Sequence, residues 1–156
     1  MHGHEQMITT LNKLLREELT AINQYMVHSE MCENWGYKRL HQDIHKRAID
    51  EMKHAHKLIG RILFLEGTPT VSKLDAVNIG KDVKAILESD LSSENASVPS
   101  YNAAVVQAQE VRDSGTRELL EDILKDEERH LDWLEAQRDQ VAQMGIQNYL
   151  ARQCGK

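Results

Sequence analysis

Apolar residues recur every three or four positions along most of this chain, the period of a helix with one face turned to a core. From about Glu5 to Asn34 the pattern is continuous; it breaks at Trp35-Gly36 and resumes from about Lys38 to Leu65. Two long helices joined by a tight turn are therefore expected. Gly67-Thr68-Pro69-Thr70 stops the second helix, and the stretch to Gly80 mixes Pro, Gly, Ser and Asn with scattered apolar residues, which reads as a long connection. Asp82 is placed to cap a third helix over about 82–112, closed by Asp113-Ser114-Gly115. A fourth helix is expected over about 116–144, ended by Gly145, with a short tail helix over about 146–152. Pro99 falls inside the third helix, where it removes a backbone hydrogen bond, and it predicts a kink near Asn95–Pro99.

Four long helices with the connection between the second and third describe an up-down-down-up bundle, because the chain must travel the bundle's full length when those two helices run parallel. Composition agrees: with 2 Pro, 8 Gly and 4% aromatic residues in 156, an all-α single domain over residues 1–156 is expected. The net charge of −6 is spread without a basic block, which argues against nucleic acid as a partner. Cys32 and Cys154 form no paired motif and read as free thiols of a reducing, cytoplasmic compartment. The first residues lack the basic-then-apolar order of a signal peptide, and no apolar run approaches the roughly 20 residues that span a bilayer, so no membrane association is expected.

The apolar stripes carry charges at their centres. Leu11, Leu14, Leu15, Ile22 and Tyr25 surround Glu18; Leu40, Ile44, Ala55, Leu58 and Ile62 surround Glu51, with His54 one turn on. Val83, Leu87, Val98, Tyr101 and Val105 surround Glu94, and Leu120, Ile123, Leu131 and Leu134 surround Glu127 and His130. Each of the four helices thus turns a glutamate to the core. Four ionised carboxylates buried together would cost many kcal/mol unless cations compensate them, and two divalent ions would neutralise the set. Four carboxylates and two imidazoles with no thiolate suit iron or manganese better than structural zinc, and iron is the assignment made here. An isolated Glu-x-x-His is usually a solvated helical pair. Two of them, matched with single in-facing glutamates on the other two helices, form the ligand pattern known for di-iron carboxylate bundles.

At these residues the sequence resembles the bacterioferritin family. The resemblance rests on Leu11-Asn12-Lys13-Leu14-Leu15, Glu18-Leu19, Ala21-Ile22-Asn23-Gln24-Tyr25, Ile49-Asp50-Glu51-Met52-Lys53-His54-Ala55 and Arg61-Ile62-Leu63-Phe64-Leu65-Glu66-Gly67. It continues through Asn78-Ile79-Gly80, Asp126-Glu127-Glu128, Met144-Gly145 and Gln147-Asn148-Tyr149-Leu150, across essentially the whole chain. It implies a ferritin-like fold and a ferroxidase centre in which Glu51 and Glu127 bridge two irons while Glu18, Glu94, His54 and His130 are terminal ligands. It also implies a cage of twenty-four copies that stores ferric mineral, with haem b shared by twofold-related chains and bound through Met52 of each. An electron donor of ferredoxin type would serve iron release.

Several positions depart from the family or stay open. Lys46 and Arg47 stand beside Asp50 where many bacterioferritins have His and Glu, which puts an inner-surface iron site in doubt. His45 stands where the family has tyrosine; it would alter the haem surroundings or lie exposed. Tyr25 could hydrogen-bond a ligand or donate an electron, although a buried tyrosine is more often packing. Met52 by pattern alone would be read as packing too, and its ligand role is what the resemblance implies. His2, His4, His28, His41 and His56 are expected at the surface or in packing, without in-facing carboxylate neighbours. Rival readings are a di-iron oxidase acting on an organic substrate, and a haem-carrying shell subunit with an idle metal site.

Overall fold

The computed structural model describes residues 1–155 and contains five helices: α1 (Glu5–Asn34), α2 (Lys38–Phe64), α3 (Val83–Glu110), α4 (Ser114–Met144) and α5 (Ile146–Gln153). No strand occurs among the described residues. The first two helices end as expected. Gly36, at φ +84°, takes the left-handed turn after α1, and the Gly36 and Tyr37 N–H groups close onto Glu33 O and Cys32 O, a Schellman stop.

The α3–α4 junction differs from expectation. α3 ends at Glu110 rather than 112, and α4 begins at Ser114 rather than 116. The stop is made by Arg112 at φ +58°, with the Arg112 and Asp113 N–H groups donating to Gln109 O and Ala108 O. A left-handed arginine supplies the geometry usually given to glycine. Asp113, expected in the stop, instead caps α4 by accepting from the Thr116 N–H. Gly115 lies in the first turn of α4, where a Cβ would meet Arg61 Nη2 at 2.7 Å. α3 keeps its helical assignment across Pro99, the position expected to kink it. Both Pro99 and Asn95, whose carbonyl loses its partner to the proline, are exposed, so water can serve the orphaned oxygen.

Side-chain contacts fix the topology. α1 and α3 run antiparallel: Thr10 bonds Gln107, Glu18 meets Tyr101, Tyr25 meets Glu94 and Gln24 meets Asp90. α2 opposes α4 through Arg61–Asp113 at one end and Asp50–His130 further along. The crossover lies along α1, pinned by Asn12 to Thr68 and Thr70, by Thr20 to Asp75, by Gln24 to Asn78 and by His28 to Gly80. It therefore returns the chain to the start of α2 before α3 begins, which makes α2 and α3 parallel. A side chain on Gly80 would come within 2.3 Å of Ile86 N, so this last step needs glycine.

Two apolar clusters fill the bundle. One gathers Met7, Leu11, Leu14, Leu58, Ile62, Tyr101, Leu120 and Ile123. The other gathers Tyr25, Leu40, Ile44, Val83, Ile86, Leu87, Leu134 and Tyr149, with α5 held by the Tyr149 hydroxyl donating to Gln137 Oε1 at 2.7 Å. Ile22, Val98, Val105 and Leu131 of the expected stripes are half-buried. Each fully buried Leu or Ile contributes roughly 2 kcal/mol, so the two clusters can hold between them a polar layer that by itself opposes folding.

Candidate metal centre

That polar layer consists of the six residues singled out in the sequence. Glu18, Glu51, His54, Glu94, Glu127 and His130 are each at most 2% exposed, brought from all four long helices to one level of the bundle. They form two sets of four: Glu18, Glu51, His54 and Glu127, and Glu51, Glu94, Glu127 and His130. Within each set the candidate ligand atoms lie within 4.8 Å of one another. Glu51 and Glu127 belong to both sets, which is the geometry of two adjacent cation positions joined by two shared carboxylates.

Each terminal group is held from behind. The Tyr101 hydroxyl donates to Glu18 Oε1 at 2.5 Å, and the Tyr25 hydroxyl donates to Glu94 Oε1 at 2.5 Å. Burial first, and then the carboxylate each one faces, keep both phenols well above their ordinary pKa, so both remain donors. His54 Nε2 lies 2.8 Å from Asp126 Oδ2, and His130 Nε2 lies 3.2 Å from Asp50 Oδ2. A carboxylate accepts only, so Nε2 of each ring carries a proton and Nδ1 is the ring atom turned to the cluster. The two rings stack with centroids 6.2 Å apart.

The inward atoms have only one another for neighbours: His54 Nδ1 lies 2.9 Å from Glu127 Oε1 and His130 Nδ1 lies 3.1 Å from Glu51 Oε1. Glu18 Oε2, Glu51 Oε1, Glu94 Oε2, both Glu127 oxygens and the Nδ1 atoms of both histidines are buried without a well-directed hydrogen bond. A native interior leaves only a few such atoms unpaired per hundred residues; seven gathered in one place are atoms that could hold cations. Burial, then the charges of Glu18 and Glu127, push the Glu51 pKa well above the usual range; burial and then Glu127 do the same to Glu94. For His54 burial opposes protonation, but the Glu127 carboxylate at 2.9 Å and Glu18 at 3.6 Å outweigh it and raise its pKa to about 9.

The six residues that the sequence singles out as ligands are the ones the structure brings together, and Tyr25, read as a possible hydrogen-bond partner of one, meets Glu94. Sequence reasoning treated Tyr101 only as core and did not see Asp126 or the ligand-orienting role of Asp50. A signal was present: both helices repeat Asp-Glu-x-x-His, at Asp50–His54 and Asp126–His130, and each aspartate reaches the histidine of the other helix. His28 is a correction. It was expected to lack a carboxylate neighbour, yet its Nδ1 lies 2.8 Å from Asp90 Oδ1, both groups being buried. His41 bonds Ser29 O, and His2, His4, His45 and His56 are exposed. Met52 is 41% exposed and takes no part in the cluster.

A ferritin-like domain model matches residues 8–144. The chain is 38% identical over 152 residues to the bacterioferritin of Mycolicibacterium paratuberculosis, covering 97% of this chain and 96% of that one. It is 41% identical over 157 residues to the bacterial ferritin of Paramagnetospirillum magnetotacticum, covering 99% and 96%. With the bacterioferritin of Rhodobacter capsulatus the identity is 40% over 149 residues, covering 96% and 92%. Sequence likeness along the whole chain and a layer of six convergent carboxylate and imidazole side chains from four helices lead to the same conclusion: this chain belongs to the bacterioferritin family.

Proposed function

We propose that this protein takes up iron(II), oxidises it at the paired centre and stores the product as ferric mineral inside a shell of twenty-four copies. The observation that carries this reading is the pair of four-ligand sets sharing Glu51 and Glu127. Two iron(II) ions held side by side can each give up one electron, so that dioxygen or hydrogen peroxide receives two at once. The chain's contribution is spacing and electrostatics. Bridging carboxylates keep the ions adjacent, and the unpaired oxygens supply the negative charge that iron(III) needs. Asp50, Asp126, Tyr25 and Tyr101 hold the terminal ligands in the orientation that meets the metals. Arg47 Nη1 lies 3.7 Å from Asp50 Oδ2, a cation beside the carboxylate that an accessory inner-surface iron would require.

We assign Met52 as the residue that would hold haem b, shared with a second copy of the chain. Met52 and Met26 are both exposed, 41% and 46%, and Leu19 and Ile59 are half-buried. One chain supplies one thioether and half of an apolar cleft, and a second copy related by twofold symmetry would supply the rest. Haem held there would carry single electrons, and a ferredoxin-type donor docking outside would deliver them for iron release. No helix among the described residues is long and apolar enough to cross a membrane. We place the protein in the cytoplasm with its thiols reduced; Cys32 is buried and Cys154 exposed, both free.

Stopped-flow absorbance after mixing with iron(II) and oxygen tests the centre: a rapid phase saturating at two iron(II) per chain is expected, and its absence removes the ferroxidase assignment. Size-exclusion chromatography separates a twenty-four-chain shell from the small oligomer of an oxidase. The visible spectrum of the reduced protein, with and without Met52→Leu, reads the haem.

A further inference from the structure

Away from the metal centre, α2, α4 and α5 border a pocket of about 400 Å³. Arg39 and Asp43 reach it from α2, Trp133 and Gln137 from α4, and Arg152 and Gln153 from α5. Other arginines nearby on α2 and α4 are engaged: Arg47 meets Asp50 and Arg138 meets Glu135. Arg39 and Arg152 are exposed at the rim and pair with no carboxylate among the described residues.

The floor of the pocket is polar and only half satisfied. The Tyr149 hydroxyl donates to Gln137 Oε1 at 2.7 Å. Burial first, and then the charge of Asp43, push the Tyr149 pKa up, so the hydroxyl stays a donor. With its oxygen taken, Gln137 has the Nε2 donors left to offer. Gln153 is 5% exposed, and its Oε1 is buried without a hydrogen-bond partner. Outside the metal layer it is the only buried side-chain acceptor in that state among the described residues, and such an atom calls for a partner. Asp43 supplies a second acceptor. Burial raises its pKa, against the charges of Arg39, Arg47 and Lys46, and the Arg47 guanidinium stands over the Trp133 ring, 5.3 Å from its centroid. Three cations act on this one carboxylate, so the pocket is locally positive in a chain whose net charge is −6.

From this arrangement we infer that the pocket binds inorganic phosphate: Arg39, Arg152 and the Gln137 amide donate to its oxygens, and its hydroxyls donate to Asp43 and Gln153 Oε1. Guanidinium groups match the oxygens of a phosphate in geometry as well as charge. The two acceptors choose among oxyanions. Sulfate carries no proton near neutral pH and would set its charge against Asp43, whereas phosphate keeps protons to give. None of the six residues of the metal centre lines this pocket, so the inference stands apart from the iron reading.

Calorimetric titration of inorganic phosphate into chelator-treated, full-length protein near neutral pH tests this, with tryptophan fluorescence as a second readout. Saturation at one phosphate per chain is expected, with sulfate weaker by about tenfold or more. Arg39→Gln and Arg152→Gln alter exposed side chains and should each weaken phosphate about tenfold at unchanged helicity. Asp43→Asn should bring sulfate close to phosphate in affinity, because an amide can donate where a carboxylate cannot. Absence of saturable phosphate binding by wild type would overturn the inference. So would equal wild-type affinity for phosphate and sulfate, or undiminished phosphate affinity in both arginine variants.

Discussion

Two buried polar layers sit in the same four helices and obey opposite rules. In one, Gln24, His28 and Asp90 are as thoroughly buried as the metal ligands, yet none of their buried side-chain atoms lacks a partner. The Gly80 N–H donates to His28 Nε2 at 3.0 Å, which leaves the imidazole proton on Nδ1 to meet Asp90. Gln24 donates to Asp90 and Ser93 and accepts from the Asn78 N–H. That layer closes on itself and clips the end of the crossover to α1. The metal layer turns its lone pairs to an empty middle. Burial alone does not separate structure from function in a helical core; the unpaired atom does.

The sharpest way to break the comparison is Glu127→Ala, which removes a group shared by both cation positions. Rapid iron(II) oxidation should fall by about a hundredfold or more, read by stopped-flow absorbance, with helicity unchanged. The equivalent wound in the other layer is His28→Ala. It strands the Asp90 carboxylate and the Gly80 N–H, and it should cost about 3 kcal/mol in unfolding free energy while the centre still binds two cobalt ions. If His28→Ala removes the metals, the layers are not separable.

The pH dependence of metal-free protein is a finer probe. Glu51 and Glu94 have folded pKa values above their ordinary 4.5. Their protonation favours the fold fully below that value, and the advantage is lost as pH rises through the folded value. His54, raised from 6.5 to about 9, stabilises below 6.5 and stops doing so as pH rises through about 9. The melting temperature in chelator should therefore fall steadily from about pH 5 to pH 9, and bound cobalt or zinc should abolish the slope, because the ions replace the protons. A flat metal-free profile would mean the layer carries no strain.

The smallest expected effect comes from the residues behind the ligands. Tyr101→Phe leaves Glu18 Oε1 without its donor, and it should weaken one of the two cation positions by roughly 1 kcal/mol, about fivefold in affinity. Competitive cobalt titration resolves this, with Tyr25→Phe weakening the other position.

Much of this protein is written in local pattern. Helix period places Glu18, Glu51, His54, Glu94, Glu127 and His130 on core-facing stripes because side-chain direction on a helix follows from position alone, and the long polar stretch after Gly67 requires parallel second and third helices. Helix ends were less legible. A stop at Arg112 depends on a left-handed arginine that carries no local signature, and Gly115, which looks like a stop, is small because Arg61 crosses over it.

What the tertiary structure alone decided is pairing between helices. Asp126 finds His54 and Asp50 finds His130, Tyr101 finds Glu18, and His28 finds Asp90 with the crossover backbone beside it. Each depends on the rotation and height at which two helices meet, which periodicity along one helix cannot encode. The amino-acid sequence thus determined that six carboxylate and imidazole side chains face inward; only the packing of α1 to α4 decided that they converge at one level of the bundle.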